Sequence, residues 1–464
     1  MKKKLLLGTL TLALAGAGYA HYYIWEKQTT QIASSLEKYL TDINSNSEIK
    51  LSHSGKKLSG CPAKSVVTFE NPIIEIQAPN EGTIKADSLI ISSNLLGDSL
   101  NANLKGDIVF NDNSDNFVIS SQNGFECKVK ADLSIVDIIN GKTSAKTQED
   151  LISKLRHFGC NSEKIALKSE DKLTASADSY GFNINLSKAS QDETMLDFGL
   201  QVKDLEILDT TKIVDYPNAG KQNISINGGA LIGAMGQKID FEIRDFKISN
   251  DLYNFDLPIK IKNDKTFAIS HNGFFTFNKG FTASAEMLGK QLANSYKVEN
   301  EDSGQNADLE KLFIAAIPNV VEYSPIKSFI NLTADQSTMS AKIEKIGFET
   351  SQFALNASGD AGMGAVDVLV TCQNCDILIE KTTSYVNNLA AFFNATGNLQ
   401  TETFFSESTV TSLKEIAKEC DSIPNDDLTT WKITQKDGEI YITDKKFSEI
   451  MVRLDEEIGS KLPQ

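Results

Sequence analysis

Arginine is nearly absent from this sequence. Only Arg156, Arg244 and Arg453 occur, so almost all of the 46 basic residues are lysine. Arginine is the usual bidentate partner of phosphate and guanine. Its scarcity, together with 62 acidic residues and a net charge of −16, excludes a general nucleic-acid binder, because an acidic surface repels a phosphate backbone. Histidine is scarce too, with four residues in all. His53 and His157 stand alone, and His157 precedes Cys160 at a spacing that says little. His271 precedes Asn272-Gly273, which reads as a turn and would leave the imidazole in solvent. No second ligand sits at metal-binding spacing, so no metal is expected. The glycine-rich stretches Gly228-Gly229, Gly233–Gly236 and Asp360–Gly364 have no Gly-Lys-Ser/Thr after them. They read as hairpin turns, not phosphate loops. The acidic runs at 299–302 and 455–457 lack calcium-loop spacing and read as solvated faces. No nucleophile, base and oxyanion site can be assembled. The expectation is a protein that is not an enzyme and needs no cofactor.

Long apolar runs are also missing, except at the start. Lys2, Lys3 and Lys4 precede Leu5–Ala17, which carries no charge. This is the layout of a secretory signal. The uncharged stretch reaches Trp25, giving 21 residues from Leu5, enough to span a bilayer as a helix. Tyr19, Tyr22, Tyr23 and Trp25 would form an aromatic belt at the far interface. Gly18 and Ala20 are small enough for a cleavage site, so an anchor and a cleaved signal both stay open. Either would export the remainder.

What the sequence has in abundance is alternation. Phe125, Cys127, Val129, Ala131, Leu133 and Ile135 fall on one face, with Glu126, Lys128, Lys130 and Asp132 on the other. Tyr180, Phe182, Ile184 and Leu186 repeat the pattern, as do Leu196, Phe198, Leu200 and Val202. Ile239–Ile243, Phe275–Phe277, Phe281–Met287, Met339–Ile343, Phe353–Ala357 and Val366–Val370 continue it. Period two with polar punctuation predicts antiparallel strands having one apolar face. The near-continuous apolar strands of a parallel α/β sheet are missing. The predicted fold is mainly β: large curved antiparallel sheets, as a trough or a sandwich, with a few covering amphipathic helices.

Helical spacing is confined to a few segments. Ile32–Ile43 follows the apolar start. Leu151–Leu155 predicts a short helix before Cys160, and Leu309–Ile317 another before Pro318. Ile379–Phe393 forms a stripe that stops at Gly397. Ser412 and Glu415 suggest a capping box for Leu413–Ile416. Phe447–Ile458 gives a last amphipathic helix. Residues 298–308, polar and acidic, are the best linker. The expected organisation is 1–25 as signal or anchor, 26–300 as a strand-rich exported domain, and 301–464 as a second β-rich part with more helix, continuous with the first sheet.

Ser54-Gly55-Lys56-Lys57-Leu58-Ser59-Gly60-Cys61-Pro62, then Val66–Phe69 and Asn71-Pro72-Ile73-Ile74, resembles a bacterial envelope family of unknown function, best known from alphaproteobacteria. That family has an aromatic residue where Cys61 stands. The ending, Trp431-Lys432-Ile433 and then Asp437–Ile442, is similar to the closing hairpins of AsmA-like envelope proteins of the bridge-type lipid-transfer class. The specific match covers about residues 20–78. The resemblance implies an inner-membrane anchor, a periplasmic bulk and an extended sheet with an apolar groove. It brings no catalytic residues.

Six cysteines suit an oxidising compartment. Cys372-Gln373-Asn374-Cys375 follows a strand and precedes a helix, so a disulfide between Cys372 and Cys375, or a redox dithiol there, is expected. The few helices cannot cover so many strands. Either the sheet fills its own core, or its apolar face is a groove. The expected lining is Phe125, Val129, Leu133, Ile184, Leu186, Phe198 and Leu200. The function expected is lipid binding or transfer, or envelope assembly, in a single-pass inner-membrane protein with phospholipid or envelope proteins as partners. The alternative is an exported scaffold with a self-filled core, free in the periplasm if the signal is cleaved.

Overall fold

A computed structural model describes residues 22–23, 25–35, 49–61, 64–76, 82–94, 97–112, 116–132, 154–169, 172–190, 193–207, 220–233, 239–264, 266–278, 280–284, 286–287, 311, 315, 320–335, 337–363, 365–395, 405–423 and 428–459. The chain is mainly β, with antiparallel strands and few helices. It divides into two compact units, Met1–Thr210 and Thr211–Gln464.

The first unit has a helix, α1, over residues 25–35. Its strands are β1 (Ile49–Ser52), β2 (Gly55–Ser59), β3 (Lys64–Glu70), β4 (Ile73–Ile76), β5 (Gly82–Lys85), β6 (Ser88–Asn94), β7 (Ser99–Lys105), β8 (Ile108–Asp112), β9 (Asn116–Ser120), β10 (Phe125–Ala131), β11 (Leu155–Ser169), β12 (Lys172–Lys188) and β13 (Glu193–Ile207). Two ladders meet on the long β11. One runs β2-β3-β6-β7-β10 and pairs with its first half; the other runs β1-β4-β5-β8-β9 and pairs with its second half. Strands β12 and β13 extend the sheet on the other side of β11. The core sits under α1, where Ile32 and Ala33 bury against Val67, Phe69 and Ile91.

The second unit has β14 (Gln222–Gly233), β15 (Ile239–Ser249), β16 (Tyr253–Asp256), β17 (Ile259–Asn263), β18 (Thr266–Phe277), β19 (Ile326–Asp335), β20 (Ser340–Glu349), β21 (Ala354–Gly362), β22 (Ala365–Gln373), β23 (Leu428–Lys436), β24 (Glu439–Ile442) and β25 (Lys445–Lys446). Both β16 and β17 pair with β15 and with β18, as one strand interrupted at Leu257-Pro258. Proline cannot donate to a ladder, so the interruption falls where it must. From β18 the sheet runs through β25 as a meander. Strands β18 and β19 lie on either side of the expected linker and pair directly; residues 298–308 lie outside the described residues. Helices α2 (Cys375–Ala395), α3 (Glu407–Glu419) and α4 (Phe447–Gly459) follow β22 and β25. Ile416 and Cys420 at the end of α3 and Ile450 of α4 form a buried cluster against Trp431, Ile442 and Leu454. Among the described residues no helix is long and apolar enough to cross a membrane. The expected signal or anchor lies largely outside those residues.

Several local expectations are corrected. Phe281, Ala283 and Met287 belong to helical turns, not a strand. Alanine is a strong helix former, and alternating small residues do not specify a pleat. Leu155 opens β11 instead of ending a helix. Helix α3 starts earlier than expected: Ser406 is its N-cap and accepts from the Thr409 amide, so Ser412 lies inside the helix. Gly228-Gly229 lies within β14, beside a bulge between Asn227 and Gly228. The Gly362–Ala365 and Asp437-Gly438 hairpins form where expected. Asp437 and Gly438 have φ of 53° and 80°, the left-handed pair that a two-residue hairpin loop uses.

Candidate functional site

Residues directly opposite each other in an antiparallel ladder share a face. Register therefore places the expected lining. One row crosses seven strands of the first unit: Val67, Ile91, Ala102, Cys127, Cys160, Phe182 and Leu200. Beside it run Leu100, Val129, Phe158, Ile184 and Phe198. Phe125 pairs with Leu104, and Leu186 with Leu196, on the same face. So Phe125, Val129, Ile184, Leu186, Phe198 and Leu200 come together on one surface. Leu133 lies outside the described residues.

Cover over this surface is uneven. Under α1 the side chains are sealed: Val67 is 0% exposed and Phe69 2%. Leu89, Leu100 and Ala102 are packed against that cluster. Farther along, every large apolar side chain just named is only half-buried. On β11, β12 and β13 the buried described residues are Gly159, Ser162, Ala177 and Gly199, none of them large. Phe158 and Phe182 meet edge to face, their ring centres 6.1 Å apart. The opposite face is polar. Lys128 and Lys130 are exposed there, and His157 Nδ1 lies 2.7 Å from the Asn185 side-chain oxygen. His157 thus points away from Cys160.

The second unit repeats the plan. Phe241, Ile261, Ile269, Leu332, Ile343, Gly359, Val368, Ile433 and Ile442 form one row across its strands. Helices α3 and α4 seal its Ile442 end, while Phe241 to Ile343 are half-buried. Tyr253 stacks on Phe255 at 4.6 Å, and Phe255 meets Phe275 at 5.2 Å.

His271 corrects an expectation. Asn272-Gly273 is not a turn but the middle of β18. The imidazole is half-buried, with Nδ1 2.7 Å from the Pro258 carbonyl and Nε2 2.7 Å from the Ser328 hydroxyl. The carbonyl can only accept, so Nδ1–H donates to it, and Ser328 O–H donates to Nε2; this tautomer is assigned from the network. The ring ties the interrupted strand to β19. A side chain at Gly273 would sit 2.5 Å from the ring carbon Cε1. Glycine is needed there, and sequence alone had no way to say why.

The cysteines differ from expectation. The disulfide present joins Cys127 to Cys160, and Cys61, Cys372, Cys375 and Cys420 are free thiols. The bond expected between Cys372 and Cys375 is not formed. The two thiols influence each other: the neighbouring Cys375 and burial push the Cys372 thiol up, and the neighbouring Cys372 holds Cys375 below the ordinary thiol value. Burial pushes the Cys420 thiol up. Among the described residues no cluster of ligand side chains could hold a metal.

No protein-family model matches the chain. No curated protein matches it either.

Proposed function

We propose that this chain is a non-enzymatic bacterial envelope protein, held at the inner membrane by its N-terminal segment, whose periplasmic β-units bind lipid acyl chains along their apolar faces. The observation that supports this reading is the row across β10–β13. The same apolar face is sealed under α1 at Val67 and Ile91, on β3 and β6, and continues half-buried through Val129, Phe158, Ile184 and Phe198. Extended apolar surface of this kind marks a binding face. Each methylene that leaves water there contributes roughly 0.8 kcal/mol, so an acyl chain lying along several strands is held without a single polar contact. The polar back face keeps the sheet soluble on its other side.

The test is lipid mass spectrometry on the full chain, purified in gentle detergent beside an unrelated exported β-protein. Near-stoichiometric phospholipid on this chain alone is expected. Equal traces on both proteins would overturn the reading. Strand β2, exposed at four of its five positions, favours the second reading, a scaffold that accepts a partner's strand. Absence of lipid together with a partner lost on Leu58→Pro would favour it.

A further inference from the structure

We propose that Cys372 and Cys375 form a reversible dithiol–disulfide couple, a redox modification site where β22 passes into α2. This inference is independent of the lipid reading. Cys372 lies near the end of the strand and is 0% exposed; Cys375 is the first residue of the helix and is 7% exposed. Between them Asn374 takes a left-handed φ of 52°. Its side-chain amide donates to the Gln352 carbonyl at 2.7 Å, and its own carbonyl accepts from the Ile377 and Leu378 amides. This turn is held at both ends, and it places the two cysteines at one junction, three residues apart.

The pair is also chemically asymmetric. The neighbouring Cys372 favours a thiolate at Cys375, while Cys375 and burial keep Cys372 protonated. The start of α2 adds backbone amides that favour negative charge near Cys375. Asp376, which opposes it, is paired with Lys418 at 2.9 Å. An attacking thiolate and a protonated resolving thiol are the two parts that exchange requires.

The step balances with a disulfide as oxidant. The Cys375 thiolate attacks one sulfur of the oxidant, its S–S bond breaks, and one thiolate leaves. Cys372 gives its proton to that thiolate and attacks the Cys375 sulfur. The Cys372–Cys375 bond forms and the second thiolate leaves. The protein loses two electrons and the oxidant gains two. The loop closed spans only four residues, so the bond constrains the unfolded chain far less than Cys127–Cys160 does. That suits a couple that opens and closes.

The experiment equilibrates the full chain, in gentle detergent, with graded ratios of reduced to oxidised glutathione. After an acid quench, free thiols are alkylated and peptides are read by mass spectrometry. Cys372 and Cys375 are expected to oxidise together, passing half-conversion within the glutathione range, while Cys127–Cys160 stays closed and Cys420 stays reduced. Cys372→Ser is expected to trap glutathione on Cys375, and Cys375→Ser to leave Cys372 unmodified. A pair that stays reduced at every ratio, or stays bonded at every ratio, overturns the proposal. The wild-type titration decides this even if a variant fails to fold.

Discussion

Cys127 lies directly opposite Cys160 in the register of β10 and β11, and their sulfurs are bonded. The bond sits in the apolar row, between the part sealed under α1 and the half-buried part. It fixes the ladder at the point where cover ends. The two residues are 33 apart in sequence. Closing a loop of that length stabilises by about 3–4 kcal/mol in the chain-entropy account. The Cys127→Ser, Cys160→Ser double variant should lose about that much in urea unfolding of the first unit. A loss under about 1 kcal/mol would mean that the ladder holds without the bond.

Phe69 anchors the seal beneath α1. It is 2% exposed and clusters with Ile32 and Val67. Phe69→Ala should cost about 3–5 kcal/mol and loosen α1. Leu58→Ala on exposed β2 should stay within about 0.5 kcal/mol. Equal effects in denaturant titration would refute a core centred on Phe69.

The open face should be sensitive to charge at one side only. Ile184→Asp removes contact worth at least two methylenes, ~1.6 kcal/mol, or roughly tenfold in lipid retained. Asn185→Asp, on the polar face beside His157, should retain lipid normally. The pair is compared by lipid mass spectrometry; equal retention would place the lipid elsewhere.

Acid should act on the C-terminal helices through Glu419. Arg453 and Lys445 hydrogen-bond its carboxylate and hold it at about 2, below its ordinary 4.5. A folded value below the unfolded one means that stability is fully present above pH 4.5 and is lost as pH falls through about 2. Trp431, whose indole donates to the Ala417 carbonyl at 2.8 Å, reports on α3 by fluorescence. The acid transition should shrink in Glu419→Gln. An unchanged transition would assign it to other carboxylates.

At His271 the backbone itself makes the room. Gly273→Ala would drive a methyl to 2.5 Å from the ring and 2.6 Å from the Asp256 carbonyl. It should cost about 1–3 kcal/mol, the range of overpacking. His271→Ala should relieve part of that cost in the double variant, read by thermal unfolding. Full additivity would show that the ring and Gly273 do not share the space.

Alternation was legible because it is local. A strand with one buried face must place its apolar residues two apart, whatever its neighbours are. Phe125–Ala131 and the Tyr180–Leu186 stretch therefore declared their faces without any partner. The α2 stripe was equally local. The sequence by itself determined the strand-rich class, the apolar side of strands such as β10, β12, β13 and β22, and the scarcity of helical spacing.

Tertiary structure decided what pairs with what. Nothing local distinguishes Cys127–Cys160 from Cys372–Cys375, since register depends on strands far apart in sequence. His271 looked like a turn residue because Asn-Gly is a turn signal, yet β17 and β19 recruit it into a strand. Which part of the apolar face is sealed depends on where α1, α3 and α4 come to rest. That is set by long-range packing, and no periodicity encodes it.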